Sequence, residues 1–196
     1  MKLARDFYRQ SALTVAREIL GCLLVHASPE GLAAGRIIET EAYGASPDDT
    51  ACHACRGPTQ RTAVMFGTGG FAYVYLIYGM HHCFNIVTGQ SGDGQAVLIR
   101  ALEPVEGIEL MMARRQTNKL RELCSGPGKL CQALAVNRTH NGMDLTGDSL
   151  YISPAPGIPD SRVSITARIN VEYAGAAKDF PWRFVERNNP LASRKG

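Results

Sequence analysis

The sequence predicts an α+β protein: a single compact domain, residues 1–196, with helices flanking an antiparallel sheet. Three observations predict it. The chain has 196 residues, 45% hydrophobic and 20% charged, the size and balance of one globular core. Residues 71–102 read as three consecutive apolar strands broken by glycine-containing turns, an antiparallel meander. Helical patterns are confined to short blocks around these strands, a pattern that favours one α+β domain around an antiparallel sheet.

The elements follow in order. Residues 11–20 read as a helix, with Ser11 as its cap, Leu13, Ala16, Ile19 and Leu20 on one face, and Gly21 ending it. Cys22–His26 and Gly35–Tyr43 read as strands around the turn Ser28-Pro-Glu-Gly31. A long loop runs from Gly44 to about Gly70, and loops of that length in compact domains are usually functional or disordered. Phe71–Tyr78 is the clearest strand, His81–Thr88 the next, and residues 78–80 the hairpin tip between them. Ala96–Leu102 is the third strand. Pro104 marks the expected start of a helix, with helical composition over 105–116 and a shorter helix over 127–135 ending before Asn137. Short strands near 149–152 and 163–171 complete the chain.

Composition narrows the function classes. A net charge of +3 is compatible with a polyanionic partner without demanding one. No apolar run approaches the length of a membrane span, and the first residues lead straight into a helical pattern, so no membrane association and no signal peptide are expected. The six cysteines are scattered, several in apolar runs, which suits free thiols in a reducing cytoplasm. One C-x-x-C occurs, Cys52–Cys55. A structural zinc site wants a second such pair, and none is present, although His81, His82 and Cys83 could complete a site in space. No metal is expected.

Glu39-Thr-Glu-Ala-Tyr43 is the most informative stretch. On a strand, Glu39, Glu41 and Tyr43 share one face, and Ile38 and Thr40 the other. Two acids and an aromatic make poor core material, because an unpaired buried carboxylate is costly. The face suits a general base beside an aromatic that stacks on a flat substrate, or equally a solvated face with ion pairs. Asn85 and Arg100 lie inside apolar strands, where each could satisfy a buried backbone group or line a site, Arg100 near a carboxylate such as Glu41. Phe84, Ile86, Val97 and Leu98 read as core. Tyr78 and Met80 put apolar groups on a hairpin tip, to wedge between DNA bases or to pack on the long loop. His53, alone among small residues, is more simply structural than catalytic. Ser125-Gly-Pro-Gly-Lys129 is not a nucleotide-binding phosphate loop, because Leu130 follows the lysine. It could still face one phosphate of a nucleic-acid backbone, or be an ordinary helix start.

Taken together these segments resemble the alkyladenine DNA glycosylases, the mammalian-type 3-methyladenine DNA glycosylase family. The matching runs, in family order, are Glu39–Tyr43, Asp49-Thr-Ala-Cys-His53, Met65-Phe-Gly67, Tyr73–Met80, Cys83-Phe-Asn85, Gly92–Pro104 and Leu123–Leu134. Beyond about residue 150 the likeness thins to Pro181-Trp-Arg-Phe184. Thr62 stands where relatives often carry Asn, and Gly67-Thr-Gly-Gly replaces a more usual Gly-x-Pro-Gly.

The resemblance implies a curved antiparallel sheet with a β-hairpin protruding into the minor groove. It implies hydrolytic excision of alkylated or deaminated purines (3-methyladenine, 7-methylguanine, hypoxanthine, ethenoadenine) from duplex DNA, leaving an abasic site. Glu41 matches the general base and Arg100 a partner of the attacking water. Tyr43, His53 and Tyr75 match the walls of a flipped-base pocket, and Asn85 a residue excluding guanine. Tyr78 matches the intercalating residue, with Met80 beside it, and Lys129 the segment approaching the DNA backbone. A cationic methylated purine between Tyr43 and Tyr75 would gain a cation–π contribution of ~0.5–2 kcal/mol. No lysine stands at a nucleophile position, so a monofunctional hydrolase without lyase activity is implied, needing no cofactor. The expected protein is a monomer acting on damaged duplex DNA, in the cytoplasm with the nucleoid if bacterial. Two other classes remain: a non-catalytic damaged-DNA-binding module, and a metal-stapled acyl- or formyl-transfer domain.

Overall fold

The computed structural model describes residues 1–44 and 46–194. Two helices open the chain, α1 (Arg5–Tyr8) and α2 (Ala12–Glu18). Ser11 caps α2, its hydroxyl accepting from the Thr14 N–H at 3.2 Å. A hairpin of β1 (Leu23–Ser28) and β2 (Gly31–Tyr43) follows. The meander is β3 (Ala72–Ile77), β4 (His81–Thr88) and β5 (Gln95–Glu106). Helices α3 (Ile108–Arg115), α4 (Leu120–Leu123) and α5 (Pro127–Ala133) come next, then β6 (Leu150–Ser153), β7 (Val163–Thr166) and β8 (Arg183–Glu186).

All eight strands join one antiparallel sheet in the order β3-β4-β5-β2-β1-β6, with β8 on β2 and β7 on β8. The 13-residue β2 is its spine. One edge of β2 pairs with β5 nearly throughout. The other edge is shared: β1 takes Gly31–Arg36 and β8 takes Glu39–Glu41. The Glu39–Glu41 segment therefore has a strand on both sides, and register shifts around Glu39 mark an irregularity that re-aims its side chains. Helix α2 packs on one face, where the Thr40 hydroxyl donates to the Ala16 carbonyl at 2.7 Å. The main core, including Ile19, Leu24, Ile37, Phe84, Ile99 and Leu102, lies on this helical side.

Several boundaries differ from the sequence reading. Pro104 does not start a helix; it lies within β5, opposite Gly35. β4 pairs with β5 only over Gln95–Leu98, so the strand edge at Pro104 is not a ladder that a missing N–H would break. Helix α3 starts later, at Ile108, after Gly107 in the left-handed conformation. The expected strand over 163–171 ends at Thr166, and the unexpected β8 lies further on.

The long loop is built, not loose. Two 3₁₀ turns (His53–Arg56, Ala63–Phe66) lay Cys52, Met65 and Phe66 against Tyr73, Val87 and Ala96. A buried ion pair fixes its entry: Arg168 donates to both Asp49 oxygens, at 2.9 and 2.6 Å, with both side chains fully buried. Asp49 also accepts from the Gly44 N–H at 2.8 Å. Gly44 has φ +79°, and a Cβ there would come within 2.6 Å of the Gly94 carbonyl, so only glycine turns the chain off β2 at this point.

A second buried polar contact joins β1 to the 3₁₀ turn Arg138–His140. The Asn137 N–H donates to His140 Nδ1 at 3.1 Å, and His140 Nε2 meets His26 Nε2 at 3.2 Å. His26 Nδ1 reaches the Leu134 carbonyl at 2.6 Å. This chain closes with one proton per ring: His140 donates through Nε2, and His26 donates through Nδ1.

Two stability predictions follow from these contacts. Asp49→Asn leaves the Arg168 guanidinium buried without its counter-charge and should cost ~3–5 kcal/mol in urea unfolding. A loss under ~1 kcal/mol would show that the pair does not hold the loop. Burial, then the proximity of His26, lowers the His140 pKa below its ordinary value. The unfolded chain then binds the extra proton first, so this contribution is present above pH ~6.5 and is lost as pH falls below it. His140→Gln should flatten the fall in urea midpoint on acidification, by at most one proton's worth, ~1.4 kcal/mol per pH unit. An unchanged slope would remove the pair from the acid response.

Candidate active site

Opposite α2, the sheet and the long loop enclose a cavity of about 310 Å³. Tyr43, at the end of β2, forms one wall. His53 from the 3₁₀ turn and Tyr73 and Tyr75 from β3 form another. Tyr73 and Tyr75 are two residues apart on β3, so strand alternation brings both to this face. Ala96, Leu98 and Arg100 of β5 and Asn85 of β4 also line the cavity, and Tyr78, His81 and Gly128 contribute from the hairpin and the start of α5. Leu98 is thus both buried and part of a site, not core alone.

Glu39 and Glu41 are fully buried, which removes the reading of a solvated face. Each carboxylate is ringed by donors. Glu41 accepts from the Ile169 N–H at 2.7 Å, from the Tyr43 hydroxyl at 2.8 Å and from Arg100 Nη1 at 3.1 Å. Tyr43, Arg100 and Ile169 all line the cavity, so the Glu41 carboxylate lies one layer behind its wall. A carboxylate offers about four acceptor positions. Three are filled, and one remains. Glu39 accepts from Arg183 Nε at 2.8 Å, from the Ser193 hydroxyl at 2.7 Å and N–H at 2.6 Å, and from Arg100 Nε at 3.2 Å. Arg100 therefore bridges the two acids, with its guanidinium fixed by Glu39 along one edge and directed at Glu41 along another.

The aromatic walls are fixed from behind. The Arg168 guanidinium carbon sits 4.6 Å from the Tyr43 ring centroid and 5.0 Å from that of Trp182. Burial, then the negative charge of Glu41, pushes the Tyr43 phenol well above its usual range, so it stays a donor. His53 Nδ1 lies 3.0 Å from the Tyr73 hydroxyl, and its ring meets Tyr75 edge-on at 4.7 Å. Burial, then the charge of Arg61, pushes the His53 imidazole down to about 4, so it is neutral at neutral pH. The Asn85 side-chain amide donates to the Tyr73 carbonyl at 3.1 Å, which orients it in the wall.

Seven residues singled out in the sequence thus meet at one cavity: Glu41 behind the wall, Tyr43, His53, Tyr75, Asn85 and Arg100 in it, and Tyr78 at its edge. Tyr78 and Met80 stand at the hairpin tip, 78% and 70% exposed, so neither packs on the long loop. Tyr78 (φ +53°) and Gly79 (φ +70°) are both left-handed, and the Met80 N–H donates to the Ile77 carbonyl at 3.3 Å. Two successive positive φ angles and this bond make a tight turn within the three-residue loop between Ile77 and His81. Lys129 is half-buried on α5, its ammonium donating to the Ser125 hydroxyl at 3.3 Å.

Sequence reasoning missed the segment Ile169–Tyr173, which closes the cavity, and Arg168, Arg183 and Ser193, which hold its polar layer. The signal that singled out Arg100, a basic residue in an apolar run, is also present at Arg168 and Arg183. The Ile169 N–H and Ser193 carry no such mark. All six cysteines are free thiols, and among the described residues no group of three or more His, Cys, Asp or Glu side chains could hold a metal ion. No described helix is long and apolar enough to cross a membrane.

Comparison with known proteins finds relatives along nearly the whole chain. The chain is 48% identical over 196 residues to a protein of Carboxydothermus hydrogenoformans provisionally named 3-methyladenine DNA glycosylase, covering all of both chains. Proteins of the same provisional name from an Anaeromyxobacter species and from Methanocella arvoryzae are 50% and 48% identical, covering 99% and 98% of this chain and 93% and 96% of their own. The methylpurine-DNA glycosylase family model matches residues 6–190, and the chain accordingly belongs to this family of DNA-repair enzymes.

Proposed function

We propose that this protein flips a damaged purine out of duplex DNA and hydrolyses its N-glycosidic bond, with Glu41 as the general base. The observation that carries the reading is the pairing of a buried, donor-ringed carboxylate with an aromatic cavity. The cavity is at the small end of the ~300–1,000 Å³ typical of ligand sites, the scale of a base and not of a whole nucleotide. A base inside the stack is out of reach of any such cavity, so the nucleotide must rotate out at a cost of a few kcal/mol. Tyr78 fills the gap it leaves, and Met80 lies against the neighbouring step. Lys129 is proposed to face the DNA backbone.

Inside the pocket the purine stacks between Tyr43 and the His53–Tyr75 wall. Asn85, oriented by the Tyr73 carbonyl, opposes the exocyclic amino group of guanine. The free acceptor position of Glu41 takes an O–H of a water that Arg100 helps to orient. As the C1′–N bond breaks, positive charge grows on the sugar and the bonding pair leaves with the base. Water oxygen attacks C1′, its proton passes to Glu41, and an abasic site remains. The carboxylate also opposes the charge developing on the sugar. The lesion class is alkylated and deaminated purines. Among the described residues no lysine lines the cavity, which favours hydrolysis without strand cleavage.

Two variants test the reading. Glu41→Gln should retain duplex binding and lose single-turnover excision of hypoxanthine or 3-methyladenine by ~10²–10⁴. Near wild-type excision by this variant would sink the assignment, and retained binding by a wild type that makes no abasic sites would favour a non-catalytic module. Tyr78→Ser should change thermal stability by less than ~0.5 kcal/mol, because the side chain is exposed. It should weaken the flipped state by ~1–3 kcal/mol, read from a fluorescent reporter base and from excision. Salt-dependent binding to undamaged duplex, set by phosphate contacts, should change little. If the variant unfolds while flipping persists in the folded fraction, Tyr78 is a core residue.

A further inference from the structure

Each aromatic wall of the cavity already carries a cation. Arg168 lies on Tyr43, and the Arg61 guanidinium carbon lies 4.9 Å from the Tyr75 ring centroid. Neither arginine lines the cavity, so each occupies the ring face turned away from it. The two differ in net charge. Arg168 is fully buried and cancelled by the bidentate contact to Asp49. Arg61 is exposed and has no carboxylate within ion-pair distance among the described residues.

A cation is drawn to an aromatic face by the ring's quadrupole. A second cation on the opposite face meets a ring already polarised toward the first, and it meets the first charge as well. A base stacked at ~3.5 Å on the inner face of Tyr75 would lie about 8 Å from the Arg61 guanidinium, within a Debye length at physiological salt. His53, in the same wall as Tyr75, is neutral at neutral pH and adds no compensating charge.

We propose that Arg61 is a specificity-determining residue that disfavours cationic purines relative to neutral ones, through the guanidinium it stacks on the outer face of Tyr75. This rests on the base-excision reading of the same cavity and adds a substrate charge class to it: neutral lesions are favoured at equal fit. The penalty falls on the bound ground state. As the C1′–N bond of a cationic purine breaks, positive charge passes from the base to the sugar and the repulsion relaxes. For a cationic purine, removing the charge should therefore tighten binding and lower the maximal rate together.

The test uses two duplexes identical except for one 7-methylguanine, which is cationic, or one hypoxanthine, which is neutral. Single-turnover excision gives a half-saturating enzyme concentration and a maximal rate for each, with the wild type, Arg61→Gln and Arg61→Lys. Like charges about 8 Å apart at an effective dielectric constant of about 40, between bulk water and a protein surface, correspond to a factor of roughly five. Arg61→Gln should lower the half-saturating concentration for 7-methylguanine about five-fold relative to that for hypoxanthine. Arg61→Lys, which keeps the charge, should keep the wild-type ratio. Equal weakening of both duplexes by Arg61→Gln would make Arg61 a phosphate contact and overturn the proposal. An unchanged ratio, or a relative loss for 7-methylguanine, would overturn it too, and in all these cases the wild-type activity leaves the excision reading standing. A wild type that excises neither lesion would sink both.

Discussion

Two carboxylates placed side by side inside the protein are the constraint on which the rest of the structure depends. Glu39 and Glu41 lie on the spine strand with no exposure at all. An uncompensated buried charge costs several kcal/mol, so each must find donors, and β2 supplies none within its own length except the Tyr43 hydroxyl. The others arrive from β5 as Arg100, from β8 as Arg183, from the Ile169 amide, and from Ser193. Once those four are in place, β8 lies against β2, the 169–173 segment closes the cavity, and residues near 193 are anchored to the sheet. One polar cluster thus sets both the tertiary connections and the closure of the cavity.

The cavity also explains how a flat, apolar slot can coexist with that cluster. Its polar atoms are held behind the walls, and the walls are rings whose orientation is set from outside. Arg168 locks Tyr43 while using Asp49 and the carbonyls of Ala42 and Ala177, so a single buried guanidinium joins the strand end, the long loop and the closing segment. The 3₁₀ turn carries His53 to the edge of Tyr75 through the same loop. Rigid walls matter because stacking and exclusion both fail when a wall can shift by a fraction of an ångström.

Much of this was legible in the sequence where the signal is local. Strand alternation put Glu39, Glu41 and Tyr43 on one face, glycine and aromatic punctuation gave the β3–β4 hairpin and its tip, and Ser11 marked the start of α2. Arg100 stood out because a charge inside an apolar run needs a partner. The misreadings share a different cause. Pro104 suggested a helix start from local propensity, whereas pairing with β2 along one edge keeps it in a strand. β8 is four residues long, and its pairing with β2 is a contact between segments about 140 residues apart, with no local trace. The Ile169 amide is a backbone group, identical in composition to every other, and only the three-dimensional path of the chain makes it a ligand of Glu41.

The bonds from Ser193 to Glu39 join positions 154 residues apart. During synthesis β2 emerges long before residues 183–194 exist, and at 5–20 residues per second the interval is roughly 8 to 30 s. Through most of that time Glu39 lacks Arg183 and Ser193, and Glu41 lacks the Ile169 amide, so the acids have no reason to leave water. The helical side of the sheet can consolidate first around its apolar core, while the acidic side stays open. A nascent chain that lacks residues 169–194 thereby cannot ring the two acids with the donors that hold them in the folded protein.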